Sequence, residues 1–183
     1  MLRVKVLLVI FLSFFLGCAV QQPASMEEKL SAKQLIDKGV LLLRAQHISE
    51  AKAAFQLSLE LDYTAAALDG LGSVAFASGE YRLAEDYFIR AYRTNNSYSQ
   101  SLANLAILYD LSGNIVEAKK LYKRALEENP KNLQLRNNFA TFIYEYSLYD
   151  GNDINAALAE LHKAGVVADS EVVDYNFKQL QGR

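Results

Sequence analysis

The segment AAALDGLGSVAFASGEYRLAEDYFIRAYRTNNSY at residues 65–98 is followed directly by SQSLANLAILYDLSGNIVEAKKLYKRALEENPKN at residues 99–132, and the two are equal in length. Large apolar residues fall at the same places in both, as Leu68 and Leu102 show. A repeat of about 34 residues with small and large apolar residues at fixed positions is typical of stacked helix pairs. One pair cannot bury its own apolar face, so neighbouring pairs must stack. The sequence therefore predicts an all-α solenoid.

An earlier copy of the pattern precedes these two segments. Three of its residues lie 33 positions before their counterparts, namely Gly39 before Gly72, Ala51 before Ala84 and Phe55 before Phe88. Small residues are expected where the two helices of a pair approach most closely, and large ones fill the space between helices. The solenoid is therefore predicted to begin before residue 65.

Helix ends can also be predicted from local residues. Ser25 and Glu28 match a capping box, so the first helix should begin near Met26. Gly79 and Gly113 fall at the turns inside two repeats, where glycine adopts a positive φ without strain. Pro130 cannot continue a helix and should separate two repeats.

This spacing resembles the tetratricopeptide repeat, and its small position 20 aligns with Ala51, Ala84 and Ala118. The alignment gives one domain, 26–183, with repeats at 32–64, 65–98, 99–132 and 133–168. The fourth repeat carries about five extra residues, expected in a turn-rich loop over 147–153 before a second helix over 154–167. A capping helix is expected over 170–181. The resemblance thus implies an all-α superhelical solenoid of antiparallel helix pairs with a C-terminal capping helix.

The amino terminus has the layout of a secretory signal. Arg3 and Lys5 are followed by an apolar run over 6–16 and then by Gly17 and Cys18. That run is shorter than the roughly 20 residues that a membrane-spanning helix needs. We expect residues 1–17 to be a signal peptide. Because Cys18 is the only cysteine, it cannot form a disulfide within the chain.

Phe15-Leu16-Gly17-Cys18 resembles the lipobox of bacterial lipoproteins, although Phe15 stands where that family usually has leucine. The resemblance implies that Cys18 is acylated, that 18–25 form a lipidated tether, and that no cofactor other than this covalent lipid is bound. Ala19 after the cysteine implies sorting to the outer membrane, at its periplasmic face. The alternative is an ordinary signal or membrane anchor with an incidental cysteine.

Charge and motifs argue against other functions. Without residues 1–17, 17 basic and 21 acidic side chains give a net charge of −4, which does not favour nucleic acid. His47 and His162 have no ligand partner at zinc spacing. A loop starting at Asp150 would need glutamate at its twelfth position to hold calcium, and Leu161 is there. We therefore expect no metal, no catalytic residue and no enzyme activity.

The family resemblance implies a concave groove, lined by the first helix of each repeat, that binds a peptide or helix segment of a protein partner. Family members that clamp a carboxylate use lysine and asparagine where this chain has Ile36 and Val40, so no such clamp is expected. The alternative is that some groove residues pack against Met26–Leu30. The candidate groove residues are Ile36, Val40, Leu43, Asp69, Ser73, Phe76, Ile107, Asp110, Asn137, Thr141 and Tyr144.

Asn137-Asn138-Phe139 with Phe142-Ile143-Tyr144-Glu145 resembles a stretch of the type IV pilus biogenesis lipoproteins PilF and PilW. Those proteins carry six repeats where this chain has about four, and the tight-adherence pilus lipoprotein TadD is equally similar. The resemblance implies an adaptor that assists assembly or localisation of a secretin or a pilus-assembly subunit. The alternatives are an envelope scaffold that organises peptidoglycan enzymes and an accessory that tunes an enzyme.

We predict that Cys18→Ser leaves the chain without lipid, because serine lacks the thiol that is acylated. Metabolic labelling with a fatty acid, followed by membrane fractionation, measures both effects. The variant should carry no label and should leave the membrane fraction. Normal fractionation of the variant would contradict the anchor.

Overall fold

The computed structural model describes residues 23–150 and residue 159. This part of the chain is helical, without β-strands. The predicted signal peptide, the lipidation site, the second helix of the fourth repeat and the capping helix lie outside the described residues, apart from residue 159. The helices are α1 (Met26–Arg44), α2 (Ile48–Leu61), α3 (Ala65–Ala77), α4 (Tyr81–Thr94), α5 (Ser99–Leu111), α6 (Ile115–Glu128) and α7 (Leu133–Asp150).

The first helix begins where its capping box predicts. The Ser25 hydroxyl accepts a hydrogen bond from the Glu28 backbone N–H at 3.2 Å, and the Glu28 carboxylate accepts one from the Ser25 N–H at 2.7 Å. Both contacts satisfy donors that the first turn leaves unpaired. The predicted start near Met26 is therefore confirmed.

The turns between paired helices have the predicted backbone conformation. Gly79 and Gly113 have φ angles of 76° and 78°, which glycine adopts without a steric penalty. Gln46 lies 33 residues before Gly79 and adopts φ 62° at the equivalent turn of the first pair. The three turns thus share one geometry, although the first has a side chain where the other two have none.

Consecutive helices pack as pairs, and the pairs stack in chain order. α1 packs on α2, α3 on α4 and α5 on α6, while α2 packs on α3 and α4 on α5. The first helices of neighbouring pairs also contact one another, from α1 to α3, α3 to α5 and α5 to α7. This arrangement is a solenoid with one continuous surface made of first helices.

Aromatic rings of the second helices fill the space between helices. The buried ring of Phe55 on α2 lies against Gly39 and Gly70, where an added Cβ would come within 2.8 Å and 2.3 Å of it. Phe88 on α4 packs in the same way against Gly72, at 2.5 Å. The glycines let the helices approach closely, as the repeat pattern predicts.

Tyr122 on α6 continues this series, because it lies 34 residues after Phe88. Its ring is buried. The ring centroid of Tyr122 lies 5.6 Å from that of Phe139 and 5.3 Å from that of Phe142, both on α7. Burial is the main reason why the pKa of Tyr122 is raised, followed by the charges of nearby carboxylates. The third pair is therefore closed by an aromatic cluster with α7.

Tyrosine hydroxyls connect successive repeats at the surface. Tyr109 donates to Glu85 at 2.5 Å, and this bond, helped by burial, raises the pKa of Tyr109 to about 12. Further hydroxyl contacts span neighbouring repeats. Arg90 donates to Tyr63 at 3.1 Å, Tyr92 donates to Glu128 at 3.0 Å and also accepts from Arg124, and Tyr146 donates to Asp110 at 2.6 Å. These contacts give Tyr63, Tyr92, Tyr109 and Tyr146 a structural role between repeats.

The loop predicted over 147–153 is wrong at its start, because α7 continues to Asp150. Residues 133–150 contain neither glycine nor proline, so nothing in that stretch interrupts helical hydrogen bonding. Gly151 is the first helix breaker after Leu133. Residues 151–153 lie outside the described part of the chain.

We predict that Gly72→Ala destabilises the fold by about 1–3 kcal/mol, because its methyl group meets the buried Phe88 ring. Alanine also favours a helix over glycine by up to about 1 kcal/mol, and this gain should not offset the clash. Urea denaturation measures the difference. Ser73→Ala is the matched control on the adjacent, partly exposed residue, and it should change stability little. A Gly72→Ala variant as stable as the native chain would refute close packing.

Candidate functional site

The predicted groove residues form three rows across α1, α3, α5 and α7, and we call this surface the first-helix face. Each row holds one repeat position. The inner row is Ile36, Asp69 and Asn137, the middle row is Val40, Ser73, Ile107 and Thr141, and the outer row is Leu43, Phe76, Asp110 and Tyr144. The side chain of Tyr144 lies outside what the structure describes.

Several apolar members of these rows are partly buried and stabilise the stack. Ile36 and Leu43 pack against the core cluster that contains Phe55, and Ile107 packs against the cluster of α5, α6 and α7. The alternative from the sequence is that some groove residues pack against Met26–Leu30, but Met26 and Leu30 are both exposed. These groove residues therefore present only part of their area to a partner.

The accessible part of the first-helix face follows the middle row. Val40 is 38% exposed, Ser73 is half-buried, and Thr141 is exposed while its hydroxyl donates to the Asn137 carbonyl at 3.0 Å. Phe76 in the outer row is half-buried and lies edge-to-face with Tyr81, with ring centroids 5.7 Å apart. These side chains can contact a partner without rearrangement of the helices.

Asp69 differs from the other predicted contact residues, because its side chain is only 6% exposed. The Asn104 side-chain N–H₂ donates to both carboxylate oxygens at 3.0 and 3.1 Å, and Gln100 donates to the Asn104 oxygen at 3.2 Å. Burial raises the pKa of Asp69 to about 7, while the bond from Asn104 opposes the rise. Asp69 thus joins α3 to α5 instead of standing free in the groove.

Sequence reasoning missed Asn104. It lies 35 residues after Asp69, which is one repeat plus one residue, and its helix contacts the helix of Asp69. An acidic residue and an amide at this spacing are a signal that could have indicated the pair.

The chemistry of the first-helix face changes along the solenoid. At α1 and α3 its partly exposed members include Val40 and Phe76, which are apolar. At α5 and α7 it carries Asp110, and burial together with the Asp110 charge raises the pKa of nearby Glu145. The face therefore has accessible apolar side chains at α1 and α3, beside Ser73, and carries the Asp110 carboxylate at α5, beside the half-buried, apolar Ile107.

Among the cavities lined by described residues, two lie at the edge where the helices of each pair turn. The larger, about 350 Å³, lies between Tyr81 and Glu85 on α4 and Tyr109 and Leu111 on α5. The smaller, about 200 Å³, occupies the equivalent place between α2 and α3. Because the two are one repeat apart, they follow from the stacking geometry.

Within residues 23–150, no cluster of three or more His, Cys, Asp or Glu side chains has the arrangement of a metal site. His47 lies 3.4 Å from Glu50 on the exposed surface at the start of α2. No helix in the described ranges combines the length and the apolar character that crossing a bilayer requires.

We predict that acidification stabilises this fold through Asp69. Because folding raises the pKa of Asp69 above its usual 3.8, its stabilising contribution is full below that value and is lost as the pH rises through about 7. Lowering the pH from 8 to 5 should therefore add about 1–3 kcal/mol to the free energy of unfolding. Asp69→Asn should remove this gain.

Urea denaturation across this pH range compares the native chain, Asp69→Asn and Asp86→Asn. Asp86 is an exposed carboxylate on α4 and serves as the matched control. The control should keep the native pH dependence. The same pH dependence in Asp69→Asn would show that the buried carboxylate does not control it.

Comparison with known proteins identifies the repeat. Residues 63–127, which include α3, α4 and α5 and nearly all of α6, match the family described as tetratricopeptide repeat. No curated protein sequence matches this chain.

Solved structures with the same fold cover most of the chain. TTC0263, a thermophilic tetratricopeptide-repeat protein from Thermus thermophilus, has a TM-score of 0.68 and 18% identity, over 81% of this chain and 80% of its own. The structure of the APC/C hetero-tetramer Cut9–Hcn1 has a TM-score of 0.64 and 18% identity. The match covers 82% of this chain but only 30% of the Cut9–Hcn1 chain. The first tetratricopeptide-repeat domain of Spaghetti (RPAP3), bound to the HSP90 peptide SRMEEVD, has a TM-score of 0.55 and 22% identity. The match covers 65% of this chain and 95% of the RPAP3 chain. The chain is thus similar in fold to these proteins, and its described residues form an all-α solenoid with the tetratricopeptide-repeat fold.

Proposed function

We propose that this chain is an adaptor that a lipid on Cys18 holds at the periplasmic face of the bacterial outer membrane. There it binds a peptide or helix segment of a protein partner and assists assembly or localisation of a secretin or a pilus-assembly subunit. The tetratricopeptide-repeat fold suggests the adaptor role. The signal-like segment and Cys18 support the anchor, and the resemblance around Asn137–Glu145 supports the pilus or secretion partner.

The observation that carries the proposal is the change in chemistry along the first-helix face. A segment that lies along it would place apolar side chains near Val40 and Phe76, and basic or polar ones near Asp110. Complementary charge selects a partner and its orientation more than it adds affinity. A helix or extended peptide with an apolar end and a basic end therefore fits this surface.

An acidic peptide fits less well. The similar RPAP3 domain is bound to SRMEEVD, whose last four residues include three acidic side chains. In this chain Asp110 and Glu145 place negative charge at the α5–α7 end of the face, and the raised pKa of Glu145 reflects both burial and the Asp110 charge. Like charges brought together at an interface weaken binding.

The lipid anchor would raise the local concentration of the first-helix face at the membrane where the partner assembles. Tethering an adaptor to the membrane where its partner assembles turns capture into a local event and raises the effective concentration of the binding surface. Modest affinity at the first-helix face is then sufficient for function.

The test is affinity purification of the lipidated protein from detergent-solubilised envelopes after mild crosslinking, read by mass spectrometry. We expect a secretin or a pilus-assembly subunit as the dominant partner. Val40→Glu combined with Phe76→Ala should reduce its recovery about tenfold or more, since it removes an apolar anchor and adds a charge. Leu57→Glu, an exposed site on α2 away from the first-helix face, is the matched control and should retain the partner.

Two results would contradict the proposal. Peptidoglycan enzymes as the dominant partners would instead indicate an envelope scaffold. Equal recovery by the double variant and the control would show that another surface holds the partner. Circular dichroism of each variant checks that helix content is unchanged.

A further inference from the structure

The outer side of α1 carries an exposed stripe that the fold does not use. Its residues recur every three or four positions, which places them along one face of the helix. They are Met26, Leu30, Lys33, Asp37, Leu41 and Arg44, and all six are exposed. We call this set the α1 stripe.

The apolar side chains of the α1 stripe are largely exposed to solvent. Met26 is 82% exposed, Leu30 58% and Leu41 65%. Gly39, which is buried against Phe55, follows Leu30 by nine residues and so lies on the opposite side of the helix. Single exposed apolar residues are ordinary, but three aligned on one face of a terminal helix indicate a surface that contacts something.

The charges beside these apolar side chains are three basic and two acidic, a net charge of +1. Lys33 and Arg44 lie in the stripe and Lys29 borders it on one side. Asp37 is the single acidic member of the stripe, and Glu27 borders it on the other side. The chain after residue 17 has a net charge of −4, so this basic excess runs against the overall charge. Long basic side chains flanking an apolar stripe are typical of helices that lie at the surface of an anionic bilayer.

The position of the α1 stripe fits the same surface. Ser25 lies seven positions after Cys18, a stretch that spans at most about 25 Å when fully extended. A lipid on Cys18 would therefore hold the start of α1 within that distance of the bilayer. α1 has 19 residues and is about 28 Å long, so the whole stripe can lie along the surface.

We propose that the α1 stripe docks on the phospholipid surface that holds the anchor, with Met26, Leu30 and Leu41 at the headgroup boundary and the basic side chains against anionic headgroups. This inference rests on the lipid anchor proposed above. It adds a second membrane contact, which fixes how the solenoid is oriented on the bilayer. A second copy of the chain is the other possible occupant, and the concentration dependence measured below distinguishes it from the bilayer.

The experiment uses tryptophan as a probe, since the chain contains none. Leu30→Trp is introduced into the full lipidated protein, which is reconstituted into vesicles of phosphatidylethanolamine and phosphatidylglycerol at 3:1. Leu57→Trp on α2 is the matched control, exposed but outside the stripe. We expect lipids brominated on their acyl chains to quench the Leu30→Trp probe about twofold or more and to leave the control nearly unchanged. Equal quenching of the two probes would overturn the proposal.

The charge contribution is tested in the same system. Adding Lys29→Glu and Lys33→Glu to the Leu30→Trp protein should remove most of the quenching on anionic vesicles, and high salt should weaken the quenching of the parent probe. Quenching that is insensitive to both changes would overturn the role of anionic headgroups. A blue shift of the Leu30→Trp probe that appears in detergent without vesicles and grows with protein concentration would show that a second copy covers the stripe, and it would overturn bilayer docking.

Failure of the anchor is measured separately. The mass of the purified protein reports whether Cys18 is acylated. If it is not, the lipid anchor fails, and the same vesicles added in excess to the protein still test the α1 stripe. If Cys18 is acylated and the probe is not quenched, the anchor stands and the docking of α1 is wrong.

Discussion

The structure depends on the contact between a buried aromatic ring and the backbone of glycine residues on neighbouring helices. Phe55 occupies the space that a Cβ would take at Gly39 in its own helix pair and at Gly70 in the next pair. One side chain thereby sets the spacing within a pair and the spacing between pairs. Phe88 repeats the contact with Gly72, and Tyr122 replaces it by an aromatic cluster with α7. Burying each such ring is worth about 1.5–3 kcal/mol, and the ring also fixes the register of the stack.

Much of this architecture could be predicted because it depends on residues close in sequence. The capping box at Ser25 and the positive φ angles at Gly79 and Gly113 follow from local chemistry and are confirmed. The carboxyl end of α7 was not predicted, because a turn-rich sequence after residue 146 suggested a loop although no breaker precedes Gly151. The burial of Asp69 was also missed. It depends on Asn104, a partner one repeat and one residue further along the chain, so aligning equivalent repeat positions does not pair the two, although their spacing of 35 residues could have indicated the contact.

α1 would contribute to both proposed surfaces, and this would link anchoring to binding. Leu41 lies in the α1 stripe, and its neighbour Val40 lies in the middle row of the first-helix face. Val40 lies seven positions after Lys33, so the two side chains project only about 20° apart around the helix axis, and the bilayer and a partner segment would meet along this edge of α1. The apolar end of that face would then lie near the membrane and its acidic end further along the solenoid, towards α7. A partner segment bound along the face would acquire the same orientation.

The central claim is that the first-helix face holds a protein partner, and site-specific photo-crosslinking in living cells tests it most directly. A photoreactive amino acid is placed at Val40, on the open middle row, and in a second protein at Leu57 on α2, an exposed position outside the face. The account predicts a discrete crosslinked product from position 40 that contains a secretin or a pilus-assembly subunit, and little of it from position 57. The same product from position 57, with none from position 40, would contradict the account.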